Sequence, residues 1–513
     1  MILKNVLKNK NVFLLIITLP FIFFSIYISR FIHDLHHHGL MFVNALDLIN
    51  NKVPYKEIFI LYGIATTAIH SLSLLIFGEN LISINIITNI LYFFSLFIIS
   101  LIIKKKTNFF YGFLSLVILI FAHPVIWLPW SNYIAFFFLC LGSYILLEKN
   151  KNYEVYTGFI LFLSCLSREN FFWPISISIL IYFFFLSFFK TKNSFYKTLI
   201  TFFVSFIIFI IFLKINNVYE YWFKIQLFPI VYSEYIKVSL LKEFLNFIEI
   251  LSYKSIFYIL IKPQLIIISI ILYFNIFFLA KIIKKKKIDD FFFISILSIL
   301  LSINALNLEI FRLFTSISLG IIIVFVVLKN LHTSQIKKFF ILFLSILSIY
   351  NLFFWNENND TYKKINFNES FKNFNHDFLK YTLWNNNEWS EVDKIIFEKK
   401  NIESKCNLKH YANLNYNTFY SVYFKDYKRI NLVPFTNNNI ISNKKFIEIW
   451  SINEELKLIE NLVINDDLII LTDNIIYINF IKQFKNYTDN DVSTIKSGLT
   501  NYRLLLFYPK KCL

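Results

Sequence analysis

The feature that most constrains this chain is the recurrence of apolar runs, many near twenty residues long, separated by short clusters of lysine. The hydrocarbon core of a bilayer is about 30 Å thick and a helix rises about 1.5 Å per residue, so roughly 20 apolar residues cross it. With 57% hydrophobic and only 16% charged residues, the 513-residue chain carries more apolar surface than a soluble core can hide. It is read as an α-helical polytopic membrane protein.

A formal charge of +18 would suggest nucleic acid as a partner for a soluble domain, but here the lysines gather between apolar runs. That placement is the one expected of cytoplasmic loops, with anionic membrane lipids as partners and no nucleic acid. Lys4, Lys8 and Lys10 precede the run 12–28, which puts the N-terminus in the cytoplasm. The run is too long for a signal-peptide core and has no small-residue cleavage site behind it, so it is expected to be retained as a first span.

The next basic marker, Lys104 to Lys106, follows the run 81–103. If both markers lie inside, an even number of crossings separates them. The apolar stretch from Ile58 to Phe77, interrupted by Tyr62, Gly63, Thr66, Thr67 and His70, is then not a span but an amphipathic helix at the outer interface. Further runs near 109–122, 125–147, 154–167, 171–189, 196–214, 263–281, 291–306, 310–328 and 339–355 bring the total to eleven. On that count Lys149, Lys151, Lys190 to Lys197, Lys281 to Lys287 and Lys329 to Lys338 all fall inside.

An odd count leaves everything after Trp355 outside. The expected organisation is a membrane domain over 1–355, with a first external loop at 32–80 and a second large one at 215–262, followed by an extracytoplasmic domain over 356–513. A helix-like stretch from Asn453 to Leu462 ahead of the strand-like run Asp467 to Leu471 makes the second domain a small α/β unit. Cys406 and Cys512 both lie in it, either as a disulfide or as free thiols; Cys140 and Cys165 sit in apolar runs and read as core residues. The bacterial-type inner membrane is the expected location.

This topology sorts the rare charges onto one side. Asp34 and the imidazoles His33, His36, His37 and His38 follow the first run; His123 opens the turn HPVIWLPW; Arg168, Glu169 and Asn170 form a third turn, and Glu309 with Arg312 a fourth. A charge at the centre of a membrane helix costs roughly 2.5 to 3.5 kcal/mol, and such groups mark functional sites. External turns need some polar residues in any case, and four turns with acid, base or imidazole in so charge-poor a chain point beyond that. Guanidinium groups at helix ends suit a phosphate, and a rim carboxylate suits a general base, which together suggest group transfer from a lipid-linked phosphate.

These residues resemble the GT-C superfamily, polytopic glycosyltransferases that use polyprenyl-phosphate sugars. Asp34 stands where that family carries an acid just after the first span, and ALDLINNKVPYKEIF, from Ala45 to Phe59, is similar to its external-loop pattern, with Asn51 in place of Gly and Glu57 in place of Asp. Ile76-Phe77-Gly78-Glu79 looks like the run before the second span, and Ser167 to Pro174 like the turn with a basic residue followed by proline, Arg168 replacing Lys. The resemblance is carried by residues 10 to 180.

The resemblance implies a GT-C-like fold and an inverting transfer from a polyprenyl-phosphate sugar to an extracytoplasmic acceptor. Asp34 would be the catalytic base, with Glu57 and Glu169 as candidates for a second carboxylate. Arg168, Arg312 and His37 would hold the donor phosphate, and Tyr55, Tyr62 and His36 would line the substrate groove. If the loop is helical, His33 and His37 share one face and Asp34 and His38 the next, a spacing that also suits a divalent metal. No second motif completes such a site, so no cofactor is assigned; hydrogen bonding to the donor phosphate or to Asp34 is the leading reading of the imidazoles, ahead of a plain polar rim or a divalent metal.

Two other classes fit the composition. A transporter or flippase for lipid-linked sugars would show internal repeats and glycine-broken helices, whereas the chain has 8 glycines and no repeat. An envelope polysaccharide polymerase or ligase would place its arginines in a large late external loop, whereas here the acid follows the first run.

Overall fold

The computed structural model describes residues 9–31, 37–126, 128–148, 153–189, 195–223, 263–285, 288–303, 310–331, 334–358, 372–373, 378, 381–384, 386–414, 418–424, 427–430, 452–473, 475–492 and 504–513. Helices occupy each of the eleven apolar runs: α1 (Lys10–Ile28), then, after two helices of the first loop, α4 (Leu81–Lys106), α5 (Phe109–Ala122), α6 (Ser131–Glu148), α7 (Glu154–Ser167), α8 (Phe172–Phe188) and α9 (Tyr196–Ile215). The rest are α10 (Pro263–Lys285), α11 (Asp290–Ile303), the pair α12 (Ile310–Ile317) and α13 (Ile321–Asn330) in one run, and α14 (Ser334–Asn358). Among the described residues, 7 helices are long and apolar enough to cross a membrane; α5, α7 and α11 are shorter apolar helices of 14 residues each. The protein is thus a polytopic membrane protein with a small C-terminal sheet, the expected fold class.

Two helix starts differ from the sequence reading. The run at 125–147 begins its helix only at Ser131, because Pro124 and Pro129 lack the N–H a helix needs and bias the residues before them towards extended backbone. The stretch at 58–77 is non-helical up to Gly63, and helix α3 (Ile64–Phe77) begins after it. It is inverted relative to a soluble helix, with Thr66, Thr67, His70 and Ser73 buried while Leu75 is 68% and Ile76 60% exposed. Polar groups inside and apolar ones outside are what a helix against lipid needs.

The lysines form one end of the bundle. Lys104 at the end of α4 bonds the Asn11 side chain at the start of α1, Lys105 pairs with Glu148 at the end of α6, and Lys106 Nζ donates to the Leu147 carbonyl at 2.6 Å. Lys329 Nζ reaches the Lys106 carbonyl at 3.0 Å, and Lys337 Nζ the Lys329 carbonyl at 3.0 Å. Clusters far apart in sequence therefore share one end of the bundle, as parity of crossings requires. The first of the two loop helices sits at the opposite end: α2 (His37–Ile49), preceding α3, is buried from His38 to Ala45.

The C-terminal region begins with the short strands β1 (Lys372–Asn373) and β2 (Leu383–Trp384) and helix α15 (Asn386–Lys405). A five-stranded sheet follows in the order β4-β3-β5-β7-β6, comprising β3 (His410–Leu414), β4 (Lys428–Ile430), β5 (Leu468–Thr472), β6 (Tyr487–Asp491) and β7 (Leu505–Pro509). Strand β3 runs parallel to β4 and β5, and β7 is antiparallel to β5 and β6. Successive side chains alternate between faces. Ala412, Leu414, Leu468, Ile470 and Phe507 pack with Ile459 of α16 (Ile452–Ile464) and Ile478 of α17 (Ile475–Ile481). The other face, with Tyr411, Ile469, Leu471 and Leu506, shares a core with Val392 of α15 and with Leu40, Phe42 and Ala45 of α2. Cys406 and Cys512 are joined in a disulfide.

The sheet domain is thereby seated on the first loop. The N–H of Leu81 donates to the Phe378 carbonyl at 2.8 Å, Arg30 Nε to the Tyr381 carbonyl at 2.8 Å, and the Phe42 and Phe378 rings meet edge to face at 5.9 Å.

Candidate active site

The loop between α2 and α3 is shaped by three residues in left-handed backbone: Asn51 (φ 60°), Tyr55 (φ 63°) and Gly63 (φ 80°). Asn is among the few side chains that tolerate that region, so Asn51 can hold this turn without a glycine. The segment Val53 to Ile58 closes as a tight turn: Tyr55 N–H donates to the Ile58 carbonyl (3.1 Å), and Val53 N–H to Glu57 Oε2 (2.7 Å). Glu57, a candidate second carboxylate, is exposed and holds this turn.

The turn drives Tyr55 inward. Its buried hydroxyl lies 3.3 Å from Glu169 Oε1 and its ring 5.8 Å from that of Tyr221. Burial, reinforced by the negative charge of Glu169, holds the Tyr55 hydroxyl well above the usual phenol range, so it donates to the carboxylate. Sequence reasoning assigned Tyr55 to a groove wall; the structure places it in a buried bond across 114 residues.

Gly63 lets the loop touch the end of α7. A Cβ at this position would stand 2.2 Å from the Ser167 carbonyl oxygen, which also accepts from Thr66 Oγ1 at 2.9 Å. Immediately beyond, the chain turns through Arg168 into the short 3-10 helix Glu169–Phe171 and then α8. The Arg168 guanidinium lies over the Tyr62 ring, 5.5 Å from its centroid, a cation–π geometry. Tyr55 and Tyr62 of one loop thus reach Glu169 and Arg168 of one turn.

Trp130 extends the cluster. Its ring is 5.5 Å from Tyr62 at 80° and 4.7 Å from His37, which is itself 6.0 Å from Tyr62. Trp130 is held by a rigid turn: Ser25 Oγ accepts from Ile126 N–H at 2.7 Å and donates to its carbonyl at 3.1 Å, and Tyr92 donates to the His123 carbonyl at 2.8 Å. His123 Nε2 meets the Tyr133 hydroxyl at 2.9 Å, so this imidazole fixes the turn.

Arg312 stands on a different element, α12, whose Phe314 ring packs 5.3 Å from His123. The structure therefore gathers Arg168, Glu169, Tyr55, Tyr62 and His37, and it places Glu57 in a turn and Arg312 on a neighbouring helix. His38 is buried on α2. His33, Asp34, His36 and Glu309 lie outside the described residues, His36 directly before α2. Among the described residues no three His, Cys, Asp or Glu groups are placed to hold a metal. Trp130 and Tyr221 are members that sequence reasoning missed, and the proline before Trp130 was the available signal of a fixed ring.

No protein-family model matches the chain, and no curated protein matches it in sequence. Among solved structures, the crystal structure of ArnT from Cupriavidus metallidurans bound to undecaprenyl phosphate is similar, with a TM-score of 0.57 over 98% of this chain and 98% of that one, at 7% sequence identity. Identity that low speaks for the fold, which spans both the membrane helices and the C-terminal sheet. The chain shares the polytopic fold of that structure.

Proposed function

We propose that this protein is a membrane glycosyltransferase that moves a sugar from a polyprenyl-phosphate donor to an extracytoplasmic acceptor with inversion at the anomeric carbon. The observation that carries the reading is the likeness, over nearly the whole chain, to a protein bound to undecaprenyl phosphate. The cluster around Arg168 at the site end of the bundle is chemically suited to the same ligand.

In this reading the Asp34 carboxylate takes the proton of an acceptor hydroxyl or amine as that atom attacks the anomeric carbon. The bond from that carbon to the phosphate oxygen breaks, and the polyprenyl phosphate leaves with the bonding pair. Arg168 and Arg312 neutralise the charge that grows on the phosphate, where a guanidinium keeps its proton and offers paired donors. Glu169, bonded by Tyr55, sets the turn that presents Arg168. The basic end of the bundle faces the cytoplasm and the site faces outward, the compartment in which the Cys406–Cys512 disulfide is stable.

The test is turnover of a panel of polyprenyl-phosphate sugars by the purified chain in detergent, with lipid and acceptor products read by mass spectrometry. Asp34→Asn is expected to lower turnover by about 10²- to 10⁴-fold, the usual worth of a general base, while leaving donor binding and melting temperature unchanged. Unchanged turnover in that variant would remove Asp34 as base, and inactivity of the unaltered protein on every donor would remove the transferase reading.

A further inference from the structure

Trp130 has no role in the reading above, yet its ring packs against both Tyr62 and His37 of the cluster. We infer that Trp130, backed by the buried Tyr62 ring, forms the platform against which the sugar ring of the donor packs, an assignment that rests on Arg168 holding the donor phosphate.

The Arg168 guanidinium is 5.5 Å from the Tyr62 centroid, and the Tyr62 centroid is 5.5 Å from that of Trp130. A glycosyl phosphate carries its sugar directly beside the phosphate, so a phosphate on Arg168 sets the sugar about one ring away, against these two aromatics. Their planes meet at 80°, which makes a corner rather than a stack. The C–H groups on one face of a sugar ring are apolar and slightly positive, and they pack against an electron-rich ring face, whereas its hydroxyls need polar partners. The corner supplies both, with the indole face on one side and the His37 ring, 4.7 Å from Trp130, on the other.

Trp130 is also built for the task. It is partly exposed, while its flanks are fixed by Pro129, by the start of α6, and by its own N–H, which donates to the Leu128 carbonyl at 2.9 Å. A ring held in advance loses little freedom when a ligand arrives. An interfacial anchor, the other common use of tryptophan in a membrane protein, would act alike on every lipid.

That contrast defines the experiment. Affinities for bare undecaprenyl phosphate and for the sugar-bearing donor that the product assay identifies are measured on the full chain in detergent, for the unaltered protein, Trp130→Leu and Trp130→Phe. Loss of one stacking face is expected to weaken binding of the sugar-bearing donor by about tenfold in Trp130→Leu and by about threefold in Trp130→Phe, with bare undecaprenyl phosphate unchanged. An unchanged ratio between the two ligands in both variants overturns the inference, and so does an equal loss of both ligands in Trp130→Phe. If Trp130→Leu is not recovered folded, Trp130→Phe decides alone. If the unaltered protein binds neither ligand, the proposed function itself fails, which is distinct from a failure confined to Trp130.

Discussion

At Gly63 two demands coincide: the backbone has φ 80°, and a Cβ would meet the Ser167 carbonyl at 2.2 Å. The first makes any side chain strained, and the second leaves no room for one. Gly63→Ala is therefore expected to cost about 1 to 3 kcal/mol or more, read as a lower melting temperature in detergent. It should also displace Tyr62 from Arg168 and weaken binding of undecaprenyl phosphate, because Tyr62 directly precedes the altered residue. A melting curve like that of the unaltered protein would show that the loop does not dock on α7 as described. Tyr55 is the more unusual case, since a bulky residue in left-handed backbone is seldom tolerated without a compensating contact. Its bond to Glu169, 3.3 Å long and buried, is that contact. None of this was legible in the sequence, where Tyr55 and Tyr62 are two aromatic residues near a proline and carry no sign of which way they point.

At the scale of elements the sequence was far more legible. A helix of apolar residues in lipid satisfies its own backbone hydrogen bonds, so composition alone places α1, α4, α9 and α10 within a few residues. Where the reading missed, a specific residue overrode composition: Pro124 and Pro129 delay α6 to Ser131, and left-handed Gly63 delays α3 to Ile64. The sheet was legible only at Asp467 to Leu471, because β5 is covered on both faces and reads as an unbroken apolar run, whereas the edge strand β6 is half exposed and polar. Trp130 was invisible as a partner of Tyr62 because 68 residues separate them and nothing local links the two. The disulfide is the element-scale feature most open to measurement. It joins the end of α15 to the end of the chain, its cysteines 106 positions apart in sequence. Removing a bridge across so long a loop costs about 2 to 5 kcal/mol. Cys406→Ser and reduction by dithiothreitol should each lower the melting temperature, and the two should not add. An additive effect would mean that a different disulfide is being reduced.

For the whole molecule, the question is which end faces out, and the two ends differ in kind. One joins Lys104, Lys105, Lys106, Lys329 and Lys337 with the starts and ends of α1, α4, α6 and α13. The other carries the loop over Arg168 and the sheet domain, and α1 and α4 each run from one end to the other, with Arg30 and Leu81 bonded to the sheet domain's segment at Tyr381 and Phe378. Short lysine-rich ends stay in the cytoplasm, so the site and the sheet domain are expected outside, where the disulfide is also stable. Alkaline phosphatase, which folds only in an oxidising compartment, should be active when fused after Leu513, and green fluorescent protein should fluoresce when fused after Lys106 or Asn330. The lysine count alone would invert every later loop if one crossing were misjudged. The fusions after Lys106 and Asn330 bracket that error, because the contacts between Lys106 and Lys329 require both to report the same side. Opposite reports from these two positions would break the packing of α4 against α13, whereas matching reports with an inactive phosphatase at Leu513 would confine the error to α14.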